Sequence, residues 1–527
     1  MFGHPRALYA VYLAFTLIVT AVLAVVAPAW LWVAAILIAL AVLGAWDLRS
    51  HHNVLRNFPI LGHLRYMMEF LRPELRQYFF ESETSGRPFN REQREIIYSR
   101  ARGGSDTSPF GTMRDFEDAG FSFSQHSMAP KTLDAAHARV TIGNSQCAQP
   151  YSSSRLNISA MSFGSLSANA VAAMNRGAAL GGFAQDTGEG AISDYHREHG
   201  GDLIWEIASA YFGCRYDDGS FNPDDFAAKA NTEQVKMIEI KISQGAKPGH
   251  GGLLPGRKVT AEIARVRDIE QGQDCQSPAT HPEFDTPVGL LRFVQRLRDL
   301  THGKPVGFKL CLGRPHEFMA VCKAMLETGI TPDFITVDGA EGGTGAAPAE
   351  FEDFIGTYIN DALPFVDNCL KGVGLREDIV VIASGKVAMG YDMVVKLALG
   401  ADMCNAARGF MFSVGCIQSR RCHTDTCPTG VATQDPRRAE ALEVMGKSLQ
   451  VRNFHAATLK SFMDITGAMG VASPEELDRS HIYHRPEYGL AETYAAMHPT
   501  VESGDFLNDR IPEVYRQDWV RATPAAF

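Results

Sequence analysis

Eight short apolar runs recur between residues 155 and 407: "RLNISAM", "GGFAQDT", "LIWEIAS", "VKMIEIKI", "PVGFKLC", "DFITVDG", "IVVIASG" and "ADMCNAA". Several are rich in β-branched residues, and most end in glycine or a small or polar residue. Helix-spaced stretches separate several of them, such as "SANAVAAMNRGAAL", "EFMAVCKAMLETG" and "MGYDMVVKLALG". Strands without polar alternation are buried on both faces, and alternation with helices implies parallel pairing. Eight units over about 280 residues match the count and size of a (β/α)8 TIM barrel. The same alternation is compatible with an open doubly wound sheet, and "LIWEIAS" also suits a helix.

A second constraint lies at the N-terminus. No charged residue occurs from Ala7 to Trp46, and Pro28 splits this stretch into two halves. Each half has about the 20 residues that a helix needs to cross a bilayer. Pro28, Trp30 and Trp32 suit a turn at an interface, and Arg6, Arg49 and Arg56 flank the outer ends. This pattern predicts a transmembrane helical hairpin over residues 1–50 with both termini cytoplasmic. It places the chain at the inner, cytoplasmic membrane with its catalytic domain facing the cytoplasm. A cleavable signal peptide is the competing reading, because "VVAPAW" contains an Ala-x-Ala, but a signal's apolar core is shorter and stands alone.

The remaining organisation follows from these two features. Residues 51–110 form a helical connecting segment, 111–440 the barrel, and 441–527 a C-terminal extension of helices and loops. An apolar content of 45% and a charged content of 21% describe a globular chain. A formal charge of −10 offers no basic surface for nucleic acid. Seven of the ten cysteines stand singly in apolar segments and read as buried thiols.

In a barrel, the loops after the strands build the active site, and phosphate sits near strands seven and eight. The sixth, seventh and eighth runs lead into "DGAEGGTGAAP", "ASGKVAMG" and "AARGF", whose small residues let backbone N–H groups approach a phosphate. Lys386 and Arg408 add positive charge there. The first run leads into "SAMSFGSLS" and the second into "DTGEGAIS". The fourth carries Lys241, Gln244 and Lys247, and the fifth carries Lys309. Several lysines at one mouth suit an anionic cofactor and an anionic substrate; the plain alternative is a set of surface lysines.

Beyond the eighth run, "GCIQSRRCHTDTCPTGVATQ" holds Cys416, Cys422 and Cys427 at spacing C-x5-C-x4-C within the loop 415–430. In a reducing compartment such spacing favours metal over disulfides. Zinc with His423 as fourth ligand and an iron–sulfur cluster both fit the spacing; the neighbouring cofactor loops favour a redox cluster.

Four motifs, "ISAMSFGSLS", "EIKISQGAKPGHGGLLPGRKV", "DGAEGGTGAAP" and the cysteine loop, and the order in which they occur, closely resemble the FMN-binding synthase domain of glutamate synthases over about residues 110–480. The resemblance implies a (β/α)8 barrel with FMN at the strand C-termini and a 3Fe–4S cluster on Cys416, Cys422 and Cys427. It implies reductive amination of 2-oxoglutarate to glutamate with ammonia. It implies flavin contacts at Ser162, Lys309, Gly343, Thr344, Gly385 and Arg408, and catalytic or substrate contacts at Glu189, Lys241 and Lys247.

Three departures qualify it. The family's long enzymes begin with a glutaminase domain, whereas this chain begins with the apolar hairpin; ammonia then comes from solution or a separate subunit. The family's "KPGEGGQLPG" is here "KPGHGGLLPG", with His250 for a glutamate and Leu253 for a glutamine, which bears on the choice of oxoacid. "AAR" at 406–408 replaces a Gly-Thr step, and the long enzymes' C-terminal β-helix has no counterpart. The alternatives are the same cofactors acting on another 2-oxoacid or an amine, giving an N-substituted glutamate, or a non-catalytic electron-transfer subunit. With no G-x-G-x-x-G unit present, a ferredoxin-like or membrane-linked donor is expected rather than a nicotinamide.

Overall fold

The computed structural model describes residues 6–105 and 107–527. The chain forms two compact units, residues 1–91 and 92–527.

In the first unit, helices Ala7–Val26 and Leu31–Asp47 are joined by a single 3-10 turn, Pro28–Trp30. Proline at the first position of that turn ends one helix and starts the next. The two helices are stitched by the Tyr12 hydroxyl, which donates to the Leu37 carbonyl at 2.7 Å, and by Tyr9, whose ring fills the space left by Gly44. Segments 7–26 and 28–47 are each long and apolar enough to cross a membrane. The buried Asp47 carboxylate accepts from the Ile60 backbone N–H and lies 2.8 Å from His63 Nε2, so the second helix is tied to the amphipathic helix Leu61–Leu75.

In the second unit, eight parallel strands close into a barrel: Leu156–Ile158, Gln185–Asp186, Leu203–Ile207, Val235–Lys241, Val306–Leu310, Phe334–Asp338, Val380–Ser384 and Met403–Ala406. Closure is made where Cys404 pairs with Leu156 and Ala406 with Ile158. This excludes the open sheet. The "LIWEIAS" run is a strand, paired on both sides, with Trp205 buried outside the barrel against Phe226. Helices such as Ala168–Gly181 and Pro287–Leu300 begin at side-chain caps, Ser167 and Thr286, and the first ends on left-handed Gly182.

The bottom of the barrel is sealed by an antiparallel hairpin, Arg139–Ile142 with Tyr151–Ser154. Ile142 and Tyr151 pack with Ala184, Ile204, Met237, Phe334, Ile382 and Met403. Gly307 completes this layer, and a side chain there would strike Phe334. Helix Val444–Ala468 packs across Ala168–Gly181, with Gly177 against Val451.

Inward-facing residues recur every second position along a strand. Two residues above the apolar layer, the same eight strands or their continuations present Ser159, Asp186, Glu206, Glu239, Lys309, Thr336, Ser384 and Asn405, all buried. Barrel layers are ordinarily filled by branched apolar side chains. Here the second layer is polar throughout.

Three buried histidines give the unit an acid sensitivity. Burial pushes His196 and His455 down to about 3 and His281 down to about 4. Below about 6.5 the unfolded chain takes up protons that the folded chain refuses, at up to ~1.4 kcal/mol per pH unit per histidine. The thermal midpoint therefore falls as pH drops from about 6.5 toward 4. His455 stacks on Phe183 at 3.8 Å, and His455→Gln is expected to fall less steeply over that window. Equal slopes in thermal-shift titrations would contradict this origin.

Candidate active site

The loop after the first strand folds back on itself, with Ser162 Oγ 2.7 Å from Ser165 Oγ and accepting from Arg267 Nη2 at 3.2 Å. Gly188 and Gly190, after the second strand, lie against this loop so closely that a Cβ on either would strike Ser162. Between them Glu189 projects toward the fourth strand, where its carboxylate pairs with Lys241 at 3.2 Å. Burial opposes ionisation of Glu189, but Lys241, Arg267 and Lys247 outweigh it and hold its carboxyl below the usual range. Gly252 closes over the pair, and a Cβ there would collide with the Glu189 carboxylate.

Lys247 is buried and donates from Nζ to the Ala346 carbonyl at 3.0 Å, which ties the fourth-strand loop to the sixth. Burial lowers its pKa. Around Glu189 and Lys241 lies a narrow cleft lined by Ser209, Ser243, Gln244 and His250. A shallow basin of about 430 Å³ adjoins it along residues 249–251 and 276–279. His250 turns its ring edge toward Phe351, 5.2 Å away, and Leu253 pairs with Gln276 on a short antiparallel ladder.

The opposite side of the mouth is built from the last three strand-end loops. Arg408 donates from Nη2 to the Glu341 carbonyl at 2.7 Å, and a Cβ on Gly343 would sit 2.9 Å from its guanidinium. Gly385 faces Glu341 Oε1, and Thr344 lies exposed at the tip of the sixth-strand loop. Burial pushes Arg408 down and Glu341 up. Glu341 Oε1 is buried without a hydrogen-bond partner among the described residues, as is Asn405 Oδ1 in the polar layer.

The cysteine loop stands beside these loops. A Cβ on Gly345 would sit 3.2 Å from the Cys422 Cβ, and the Tyr98 hydroxyl donates to the Cys416 carbonyl at 2.7 Å. Cys416, Cys422 and Cys427 are mutual electrostatic neighbours; burial pushes Cys416 up to about 12 and raises Cys422, while backbone N–H groups of the turn hold Cys427 below the ordinary thiol value despite its burial. Among the described residues, the only trio of His, Cys, Asp or Glu whose ligand atoms all lie within 4.8 Å is Asp186, Glu206 and Glu239.

Lys309 sits lower than the other lysines. Its ammonium meets the Glu206 carboxylate and lies 3.4 Å from Glu239. Asp186, Glu206 and Glu239, together with Arg267 and Glu341, are site residues that the sequence reading did not single out. The signal for Glu206 and Glu239 was a lone acid within an otherwise largely apolar strand, "LIWEI" and "VKMIEIK".

These features define a closed (β/α)8 barrel with a cationic cleft on one side of its mouth and a three-thiol loop on the other. The chain belongs to the glutamate synthase family: the conserved region in glutamate synthase matches residues 117–472. It is 38% identical over 494 residues to the glutamate synthase large subunit-like protein YerD of Bacillus subtilis, covering 85% of this chain and 94% of that one. It is 36% identical over 321 residues to the archaeal glutamate synthase [NADPH] of Methanocaldococcus jannaschii, covering 61% of this chain and 60% of that one. Similar solved structures include a flavocytochrome b2 double mutant with pyruvate bound, 13% identical, at a TM-score of 0.41 over 84% of this chain and 90% of that one.

If Lys247 anchors the sixth-strand loop, Lys247→Met speeds amide exchange across residues 339–348 by about tenfold or more, since a hydrogen bond from a charged donor contributes about 1.5–3 kcal/mol. Unchanged exchange by mass spectrometry would contradict that anchoring.

Proposed function

We infer that the chain is an FMN- and iron–sulfur-dependent oxidoreductase that reductively aminates 2-oxoglutarate to glutamate at the cytoplasmic membrane surface. The observation that carries this reading is the convergence, at one end of one barrel, of the Glu189–Lys241–Lys247 cleft, the Arg408 loops and the three-thiol loop. Family membership supports the reaction class.

The residues present fit FMN. Arg408 and the glycine-rich turns at Gly343, Thr344 and Gly385 suit its phosphate, and Ser162 and the unmet acceptor Asn405 Oδ1 suit polar edges of the ring system. FMN supplies hydride to a carbon centre when bound. Cys416, Cys422 and Cys427, on one loop beside these turns, suit a 3Fe–4S cluster as the electron entry point. The first unit's two apolar helices support a membrane anchor, and a ferredoxin-like donor is the expected partner.

The chain's own residues do the rest. Lys241 and Lys247 neutralise the carboxylates of the oxoacid and fix its orientation. Glu189, held ionised by its cationic neighbours, keeps Lys241 directed into the cleft. The turn at residues 249–252 covers the cleft and limits water. Overall, the oxoacid, ammonia, two electrons and two protons give the amino acid and one water.

A second reading, another 2-oxoacid or an amine as co-substrate, is favoured by one observation: His250 and Leu253 present an imidazole and an apolar chain on the covering turn and its adjoining ladder. Assay of the full chain with a reduced low-potential donor, ammonia and a panel of 2-oxoacids tests both readings. Glutamate is expected as product, with Lys241→Met lowering kcat/KM about 100-fold, corresponding to the loss of one charged hydrogen bond of about 1.5–3 kcal/mol. Turnover of a different oxoacid would select the second reading. Flavin that is reduced yet reoxidised by no oxoacid would overturn both.

A further inference from the structure

The charged members of the barrel's polar second layer, Asp186, Glu206, Glu239 and Lys309, take no part in the proposed reaction, yet their burial is costly. Taking ions out of water costs several kcal/mol each after relaxation, and an apolar layer would avoid that cost. Three carboxylates and one ammonium meet there. Lys309 contacts Glu206 directly and lies 3.4 Å from Glu239; the ligand oxygens of Asp186, Glu206 and Glu239 all lie within 4.8 Å of one another.

The remaining partners are few. Thr336 donates to Glu239 Oε1 at 2.6 Å and the Gly188 N–H to Asp186 Oδ1 at 2.9 Å. The other members of the layer, Ser159, Ser384 and Asn405, are neutral, and a further charge acting on Lys309 is Asp338, above it on the sixth strand. Among the described residues, no donor reaches Asp186 Oδ2 in hydrogen-bond geometry, and Glu239 Oε2 has only the Lys309 ammonium, 3.4 Å away and outside hydrogen-bond geometry. Fully ionised, the set would hold three negative charges against one positive. A carboxylate trio of this size also suits a divalent cation, but the Lys309 ammonium already stands among Glu206 and Glu239.

We propose that Asp186, Glu206, Glu239 and Lys309 form a charge-setting floor beneath the mouth, in which Lys309 is held as ammonium and Asp186 and Glu239 share one proton. The proton supplies the hydrogen bond that the two facing carboxylates otherwise lack and reduces the excess negative charge to one. Burial and the neighbouring carboxylates both disfavour ionisation of Asp186, and the three carboxylates keep Lys309 protonated despite its burial. The floor's net charge then sets the electrostatic potential felt by the group bound above it, so these are positioning residues. For that consequence the proposal rests on the flavin reading of the mouth.

Two measurements on the full chain test it. The first needs no flavin: infrared difference spectra at neutral pH between wild type and Asp186→Asn, and between wild type and Glu239→Gln, are expected to show loss of a protonated-carboxyl carbonyl band. Absence of that band from both differences would overturn the shared proton. The second is the midpoint potential of the bound flavin. Glu206→Gln, which removes negative charge, is expected to raise it, and Lys309→Met to lower it, with Lys309→Arg restoring the wild-type value. Shifts of the same sign, or none, would mean the layer is only structural. If Lys309→Met does not fold, Glu206→Gln and Lys309→Arg still decide the sign. A chain that shows the carbonyl band but binds no flavin would refute the flavin reading and leave the shared proton standing.

Discussion

One buried ion pair organises the barrel: the Lys309 ammonium against Glu206, with Glu239 3.4 Å away. It lies between the apolar plug below and the strand-end loops above, and it divides the interior into a dry structural half and a polar functional half. A lysine enclosed this deeply stays charged only because carboxylates from neighbouring strands surround it. Strands three, four and five must therefore keep their register, in which Glu206 pairs with Glu239 and Lys309 with Lys241. The same register lifts Lys241 one layer higher, into reach of Glu189. The cleft is thus positioned by the charge layer beneath it.

The mouth is held by close backbone approaches as much as by side chains. Gly188 and Gly190 fit against Ser162, Gly252 against Glu189, Gly343 against Arg408, and Gly345 against Cys422. Each removes a side chain where two loops meet, which draws loops after the first, second, fourth, sixth and eighth strands into one surface. The Lys247 link to Ala346 crosses the mouth between the cationic cleft and the loops that adjoin the cysteines. Substrate binding and electron entry, on the proposed reading, are therefore mechanically joined.

Much of this architecture was legible in the sequence, for physical reasons. Strands buried on both faces show as continuous apolar runs, so all eight were visible, including "LIWEI", where Trp205 faces outward onto Phe226. The phosphate-type loops and the cysteine loop were visible because each is a contiguous segment of distinctive composition. The charge layer was not. Its members come one from each strand, and in short, fully buried strands no alternation marks which residue points inward. Asp186, Glu206 and Glu239 therefore looked like isolated acids until closure of the barrel brought them together. The plug hairpin at 139–154 was hidden for a similar reason, since its pairing with the barrel floor is long-range. Arg267 lies in a short helix distant in sequence from the serine it holds.

On the proposed reading, a flavin and an iron–sulfur centre share this barrel mouth. Anaerobic purification of the full chain, with optical and EPR spectra and quantification of flavin and iron, tests it most directly. The account predicts a coloured protein with about one FMN and about three irons per chain, the iron being lost in Cys422→Ser while the flavin is kept. A colourless protein after cofactor reconstitution, or iron bound equally well without Cys422, would contradict it.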